Sequence, residues 1–170
     1  MRLSIRRVSA LTALVASLSL AGCASGPMFE AKGIDAALTP ARVAKDGAVP
    51  QGAQVIWGGS IIASTNLEKG TQIEVLGYSL DGTQRPRVEE PPLGRFLILY
   101  PDYLETVDYA AGRLVTVKGR VASVREGQVG ESHYRYPVVA PDGNGLYLWP
   151  KESQSSEPKV HFGIGIGIVR

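Results

Sequence analysis

The hydrophobic pattern changes rhythm three times along the chain. Residues 8–20 are a continuous 13-residue run of Val, Leu, Ala, Ser and Thr with no polar face. Residues 24–50 hold Gly, Pro, Ala and scattered charge, and neither a 3.6-residue nor a two-residue period is sustained there. That stretch reads as a tether, with at most one short helical turn before Pro40. From Ala53 the two-residue period of half-buried strands takes over.

Residues 55–62 are rich in β-formers and interrupted by Gly58-Gly59, which predicts a bulge or a sharp bend. Residues 66–70 make a turn, and residues 71–80 a second strand. Ile73, Val75 and Gly77 share one of its faces, with Glu74, Leu76 and Tyr78 on the other. Asp81-Gly82 is the strongest turn dipeptide in the chain, and residues 85–92 form a polar, proline-rich loop. A third strand covers residues 94–100. Residues 102–111 predict a short helix, because Leu104, Val107 and Ala111 recur at near-helical spacing. Residues 113–121 alternate cleanly, break at Gly119 and continue toward Val124. A turn at residues 126–130 leads into a strand over 134–139, and residues 146–149 and 162–169 supply short pieces at the end.

Five or more strands with glycine bends and one short helix after the third describe a mainly β protein, a small OB-like Greek-key β-barrel. A β-sandwich is the alternative. With 170 residues, 44% hydrophobic and 20% charged, the chain has the composition of one ordinary globular domain.

The leader changes the picture of where the domain works. Arg2, Arg6 and Arg7 precede the 13-residue run and no acid does. A membrane-spanning helix needs about 20 apolar residues, so a basic start and this shorter run describe a secretory signal peptide over residues 1–22. The run ends in Leu20-Ala21-Gly22-Cys23, small residues directly before the only cysteine of the chain. Bacterial lipoprotein processing requires that arrangement: the thiol accepts a diacylglyceryl group, and the peptidase cuts before Cys23. The competing reading is an ordinary secreted protein with a cysteine near its cleavage site by chance. Cys23 has no second thiol to bridge with, so it is expected to be a lipid anchor, neither disulfide nor nucleophile.

Cleavage there leaves 148 residues with 15 basic and 16 acidic side chains, a net charge of −1. The apparent basicity of the whole chain, +2, belongs to the leader, and no charge argument points to nucleic acid. Ala24 and Ser25 follow the cysteine. Aspartate at the first of these positions would signal retention in the inner membrane, so the expected destination is the outer membrane, facing the periplasm. The expected organisation is a signal peptide over 1–22, a lipidated tether over 23–52 and a barrel domain over 53–170 with a variable tail.

Candidate chemistry is sparse. His133 and His161 are the only histidines, and neither lies in a motif that supplies a catalytic partner. Glu89-Glu90 sits in a proline-rich loop and reads as a solvated turn rather than an acid pair. Asp142-Gly143-Asn144-Gly145 lacks the further ligands and closing glutamate of a calcium loop and reads as a plain turn. No metal site, cofactor or catalytic residue is expected.

Trp57, Tyr134, Tyr136 and Trp149 either stack a ligand on a barrel face or fill the core beside Gly58 and Gly59. The core is the commoner fate of such residues. Arg95, Arg113 and Arg135 either converge on an anion or pair with Glu74, Glu105 and Glu131. Residues 163–168 alternate Gly and Ile, either as a last strand over the barrel or as a zipper toward a second copy.

Several separated blocks closely resemble the Slp family of outer-membrane lipoproteins, the starvation-inducible type. They are Val55-Ile56-Trp57-Gly58-Gly59 with Ile61 and Asn66, Thr71-Gln72-Ile73-Glu74-Val75-Leu76, and Gly94-Arg95-Phe96. The resemblance continues through Tyr109, residues 112–119, 127–131 and 134–139, and Leu148-Trp149, so it spans about residues 53–150 plus the Cys23 motif. It implies an outer-membrane lipoprotein made in starvation or stationary phase and carries over no catalytic residue or ligand. Three classes of function stand: a non-enzymatic structural or stress protein of the envelope, a module binding oligosaccharide or peptide on an OB-like face, and, least supported, an enzyme. The partners expected are the outer membrane through the lipid and an envelope protein or glycan of unspecified identity.

Overall fold

The computed structural model describes residues 28–48 and 52–151. One helix, α1 (Pro40–Asp46), precedes five strands: β1 (Gln54–Asn66), β2 (Thr71–Tyr78), β3 (Arg95–Tyr100), β4 (Leu114–Val129) and β5 (Ser132–Leu148). The strands close a barrel in the order β1-β2-β3-β5-β4 and back to β1. Every neighbouring pair is antiparallel except β3 and β5, which run parallel through Leu97↔Val138 and Ile98↔Val139. The mainly β expectation holds, and strand number and closure fit the small barrel predicted. Closure displaces the β-sandwich, which would have left two separate sheets.

The two-residue period places the core. On β2, Ile73, Val75 and Gly77 face inward as their alternation predicts. They meet Val55, Ile61, Phe96, Ile98, Val115, Val117 and Val139, all buried. β1 serves two partners: Gly58, Gly59 and Ser60 pair with β2 on one side and β4 on the other. Both glycines answer a close approach rather than a break. A Cβ on Gly59 would lie 2.0 Å from the Leu76 carbonyl oxygen, and one on Gly58 2.8 Å from that of Val115. The register shift falls further on, between Ile61 and Ala63. On β4 the expected break at Gly119 is present as a shift between Val117 and Gly119.

Three local expectations are corrected. Residues 102–111 form successive turns, not a helix. Asp108 and Tyr109 donate to the Glu105 carbonyl and close a single turn. A helix would need Leu104, Val107 and Ala111 on one buried stripe, but only Leu104 packs on the core and Val107 is 72% exposed. The helix lies instead at Pro40–Asp46, after Pro40 rather than before it. Thr39 caps its first turn by accepting from the Arg42 N–H, Pro40 opens it, and Gly47 in the left-handed region (φ 66°) ends it. The third correction concerns the last hairpin. β4 runs on to Val129 and turns through Gly130 (φ 59°) and Glu131 alone, so residues 126–129 are strand. Residues 134–139 and 146–148 belong to one strand, bent where Gly143 takes φ 51° and Gly145 passes close to the Lys118 carbonyl.

The stretch expected as a tether contributes to this core. Leu38 and Val43 are buried, and the Trp57 indole N–H donates to the Leu38 carbonyl at 2.8 Å. A smaller apolar cluster of Leu97, Tyr136 and Val138 forms where β3 meets β5. The C-terminal Gly/Ile piece and Cys23 lie outside the described residues.

Candidate functional site

The β2–β3 connection builds the most developed surface feature. Asp81 starts it: one carboxylate oxygen accepts from the Thr83 N–H at 2.8 Å, the Thr83 hydroxyl at 2.7 Å and the Arg85 N–H at 3.0 Å. These bonds, the Thr83 hydroxyl first and then the Arg85 amide, hold the Asp81 carboxyl below its ordinary range. The tight turn forces Gln84 into the left-handed region at φ 69° and directs its side chain inward, where the residue is 8% exposed.

There the Gln84 carboxamide pairs with one residue of the N-terminal segment. Its Oε1 accepts from the Phe29 N–H and its Nε2 donates to the Phe29 carbonyl, both at 2.7 Å. The Gln84 carbonyl accepts from the Thr116 hydroxyl at 2.8 Å, and the Thr116 oxygen accepts from the Trp149 indole N–H at 2.9 Å. Beside this chain Lys118 donates to the Glu30 carbonyl at 2.9 Å. The N-terminal segment is thereby latched across the outside of β1 and β4.

The same loop walls a groove of about 540 Å³ on the barrel flank, lined among others by Tyr78, Arg85, Val88, Arg113, Pro150 and Lys151. The Arg85 guanidinium stands 5.2 Å above the Trp149 ring, which meets Tyr147 edge-on at 5.0 Å. Arg113 donates to the carbonyls of Asp108 and Trp149 at 2.8 and 2.9 Å. Those acceptors orient the guanidinium without neutralising it. Val88 at the rim is 47% exposed.

The expected site residues separate. Trp57 is core, edge-on to Phe96 at 5.3 Å. Tyr136 is buried too, but outside the barrel interior in the β3–β5 cluster. The core reading fails for Tyr134 and Trp149, which are only half-buried; the Trp149 indole N–H reaches inward to the buried Thr116 hydroxyl while its ring stays at the surface. Tyr134 Oη accepts from the Arg95 N–H at 2.9 Å.

The three arginines do not converge. Arg95 pairs with Glu74 at 2.7 Å, as one reading predicted, and the carboxylate raises the guanidinium pKa. Arg113 binds carbonyls rather than Glu105, and Arg135 donates to the Lys45 carbonyl at the end of α1 rather than meeting Glu131. Glu89 is exposed, and Glu90 accepts from the Ser79 hydroxyl and pairs with Arg87 at 2.9 Å. His133 is exposed near the β4–β5 turn, and His161 lies outside the described residues. Asp142 is exposed at the bend in β5, and among the described residues no three His, Cys, Asp or Glu side chains gather to hold a metal. Gln84 escaped sequence reasoning entirely: its partner is 55 positions away and nothing local marks it.

Together these features define a small closed β-barrel with a structural interior and an open, cation-bearing groove on its flank. Residues 20–164 match the family described as Outer membrane lipoprotein Slp family, and the chain belongs to that family. It is an outer-membrane lipoprotein of the bacterial envelope. A relative from Escherichia coli (strain K12), "Uncharacterized lipoprotein YeaY", is 32% identical over 92 residues, 54% of this chain. The match spans 47% of that relative, so about half its length. Among solved structures, Schizosaccharomyces pombe Pot1pC bound to ssDNA aligns with 64% of this chain and 86% of its own. The identity is 13% and the TM-score 0.34, a likeness that carries no argument about fold or ligand.

Proposed function

We propose that the mature protein begins at lipidated Cys23, faces the periplasm and acts as a non-enzymatic structural or starvation-stress protein of the outer membrane. The observation that supports this is how the candidate reactive groups are used. Glu74 is committed to Arg95 and Tyr136, Glu90 to Ser79 and Arg87, and Asp81 to its own turn, while His133 stands exposed. A catalytic constellation needs an activated nucleophile, or a tuned acid and base, in one cleft. Intact mass of the membrane-extracted protein should show cleavage after Gly22 with acyl mass on Cys23. Cys23→Ala should abolish outer-membrane fractionation and any starvation phenotype, while His133→Ala and His161→Ala leave both intact. Loss of the phenotype in a histidine variant at normal level and location would overturn the non-enzymatic reading.

The flank groove favours a second reading, a module that binds oligosaccharide or peptide there. An aromatic ring under a guanidinium suits either a sugar face or a peptide carboxylate. Trp149 fluorescence titrated with envelope oligosaccharides and peptides tests it, since buried Trp57 supplies a constant background.

A further inference from the structure

We propose that the cavity beneath the N-terminal segment is a binding site for a single hydrocarbon chain, entered when residues 31–37 lift off the barrel. The cavity measures about 340 Å³. Ile34 and Leu38 of the segment line one side, and Ile56, Trp57, Leu80 and Leu93 line the other. Tyr78 also lines the flank groove, but the two spaces share no other residue among those described. Packed interiors leave few voids larger than a water molecule. Here a segment latched at both ends bridges a far larger space without filling it.

The chemistry of the lining selects the guest. The Trp57 indole N–H is spent on the Leu38 carbonyl, and both ends of the Gln84 carboxamide are spent on Phe29. The Ser79 hydroxyl donates to Glu90, and the Thr39 hydroxyl accepts from the Arg42 N–H. Asp35, exposed at the rim, accepts from the Ala37 N–H. Among the described residues the buried side-chain polar atom left without a partner is Gln54 Oε1, and Gln54 does not line this cavity. Buried water needs two to four polar partners, so it is poorly held against such walls and an apolar guest displaces it favourably. Sugars and peptides would bring polar groups that go unpaired. A hydrocarbon chain brings none. The volume lies near the bottom of the range for small-molecule sites, about 300–1,000 Å³, which suits one slender chain.

The segment can open without breaking a hydrogen bond to the barrel. Its anchors lie at its ends, Gln84 on Phe29 and Trp57 on Leu38. Between them Ile34 donates to the Ala31 carbonyl, Ala37 to the Asp35 carboxylate and Leu38 to the Asp35 carbonyl. The hydrogen bonds of residues 31–37 to described residues thus stay within the segment. What holds its middle down is apolar contact, with Ile34 half-buried at the cavity. An incoming chain replaces that contact with its own.

The test uses the full-length protein carrying Cys23→Ala and Trp149→Phe, which has no acyl group of its own and keeps Trp57 as its single indole. The probe is ω-bromoundecanoate below its micelle concentration, because bromine quenches an indole that it touches. Bromoacetate, with the same carboxylate and bromine but no chain, is the control. Bromoundecanoate should quench Trp57 saturably, at a midpoint many-fold lower than bromoacetate, and undecanoate should reverse the quenching. Ala31→Phe and Ala36→Phe add bulk to the lining and should weaken the midpoint several-fold, with near-UV circular dichroism showing that the barrel is kept. Linear, unsaturable quenching, equal quenching by bromoacetate, or failure of undecanoate to compete would overturn the site, as would an unchanged midpoint in both folded bulky variants. Repeating the titration with Cys23 retained separates two sources of the chain. An equal midpoint supports a free amphiphile as occupant, whereas protection seen only when Cys23 carries acyl mass supports the protein's own lipid.

Discussion

Replacing Gln84 with Asn should free the N-terminal segment without unfolding the barrel. Asn tolerates the left-handed backbone that Gln84 adopts at φ 69° better than other side chains do, so the turn itself is not strained further. The shorter side chain falls one methylene short of Phe29, and the bond from the Thr116 hydroxyl to the residue-84 carbonyl is untouched. What is lost is the pair of bonds to the Phe29 N–H and carbonyl. Neutral bonds of this kind contribute about 0.5–1.5 kcal/mol each, so local opening should become about 1–3 kcal/mol easier. That corresponds to roughly 5- to 150-fold faster hydrogen exchange at the Phe29 amide. Leu38 and Val43 remain packed, so amides at Ile73 and Val75 should keep their protection. Hydrogen–deuterium exchange read by mass spectrometry reports both regions in one experiment. Unchanged protection at Phe29 in a folded variant would refute the latch. An equal rise at Phe29 and Val75 would make Gln84 a core residue of the whole barrel, not a clasp on one segment.

Three further outcomes follow from particular contacts. Gly59→Ala should destabilise by at least 1–3 kcal/mol, because its Cβ would meet the Leu76 carbonyl at 2.0 Å. Gly82→Ala, whose Cβ meets nothing within 4 Å, should stay within about 0.5 kcal/mol, and equal melting temperatures for the two would refute the close-approach argument. Tyr136→Phe removes the hydroxyl that donates between Glu74 and the Gln128 carbonyl and should cost about 1 kcal/mol in denaturant unfolding; no change would show that water replaces it freely. Asp81, held below its ordinary value of 3.8 by the Thr83 hydroxyl and the Arg85 amide, contributes stability above that pH. The contribution disappears as pH falls through the lower folded-state value, so the stability gap to Asp81→Asn should be constant near neutrality and close in acid. A gap that persists through acid unfolding would contradict the shift.

The strands were legible because each one buries a single face. Ile73 and Val75 announce β2 by alternation, and Leu97 and Ile98 mark β3 as a strand covered on both sides. Period alone places a helix at residues 102–111, where the structure has turns. Val107 has the right spacing but no surface to pack on, while Thr39-Pro40 and Gly47 carry the stronger capping signals seven residues apart. The groove was not legible. Asp81 shapes its turn locally, but the contacts of Gln84 with Phe29 and Thr116, and of Thr116 with Trp149, span 32 to 55 positions. Nor does residue type reveal that Arg95 meets a carboxylate while Arg113 and Arg135 meet carbonyls.

The barrel is closed by a very short join. β3 and β5 share two residue pairs, Leu97↔Val138 and Ile98↔Val139, whereas the antiparallel neighbours share between six and thirteen. Leu97, Tyr136 and Val138 pack across that join from outside and serve as its lock. The join is therefore the place where the barrel parts with the least loss of main-chain bonding, and parting there bares two strand edges at once. Lipoproteins diffuse in a plane, where neighbours meet far more often than the same molecules would in bulk solution. An edge opened on one copy can take the matching strand of the next, exchanging β5 between barrels without any new contact chemistry. Crowding on the membrane thus puts the burden of keeping a barrel closed on the packing of Leu97, Tyr136 and Val138.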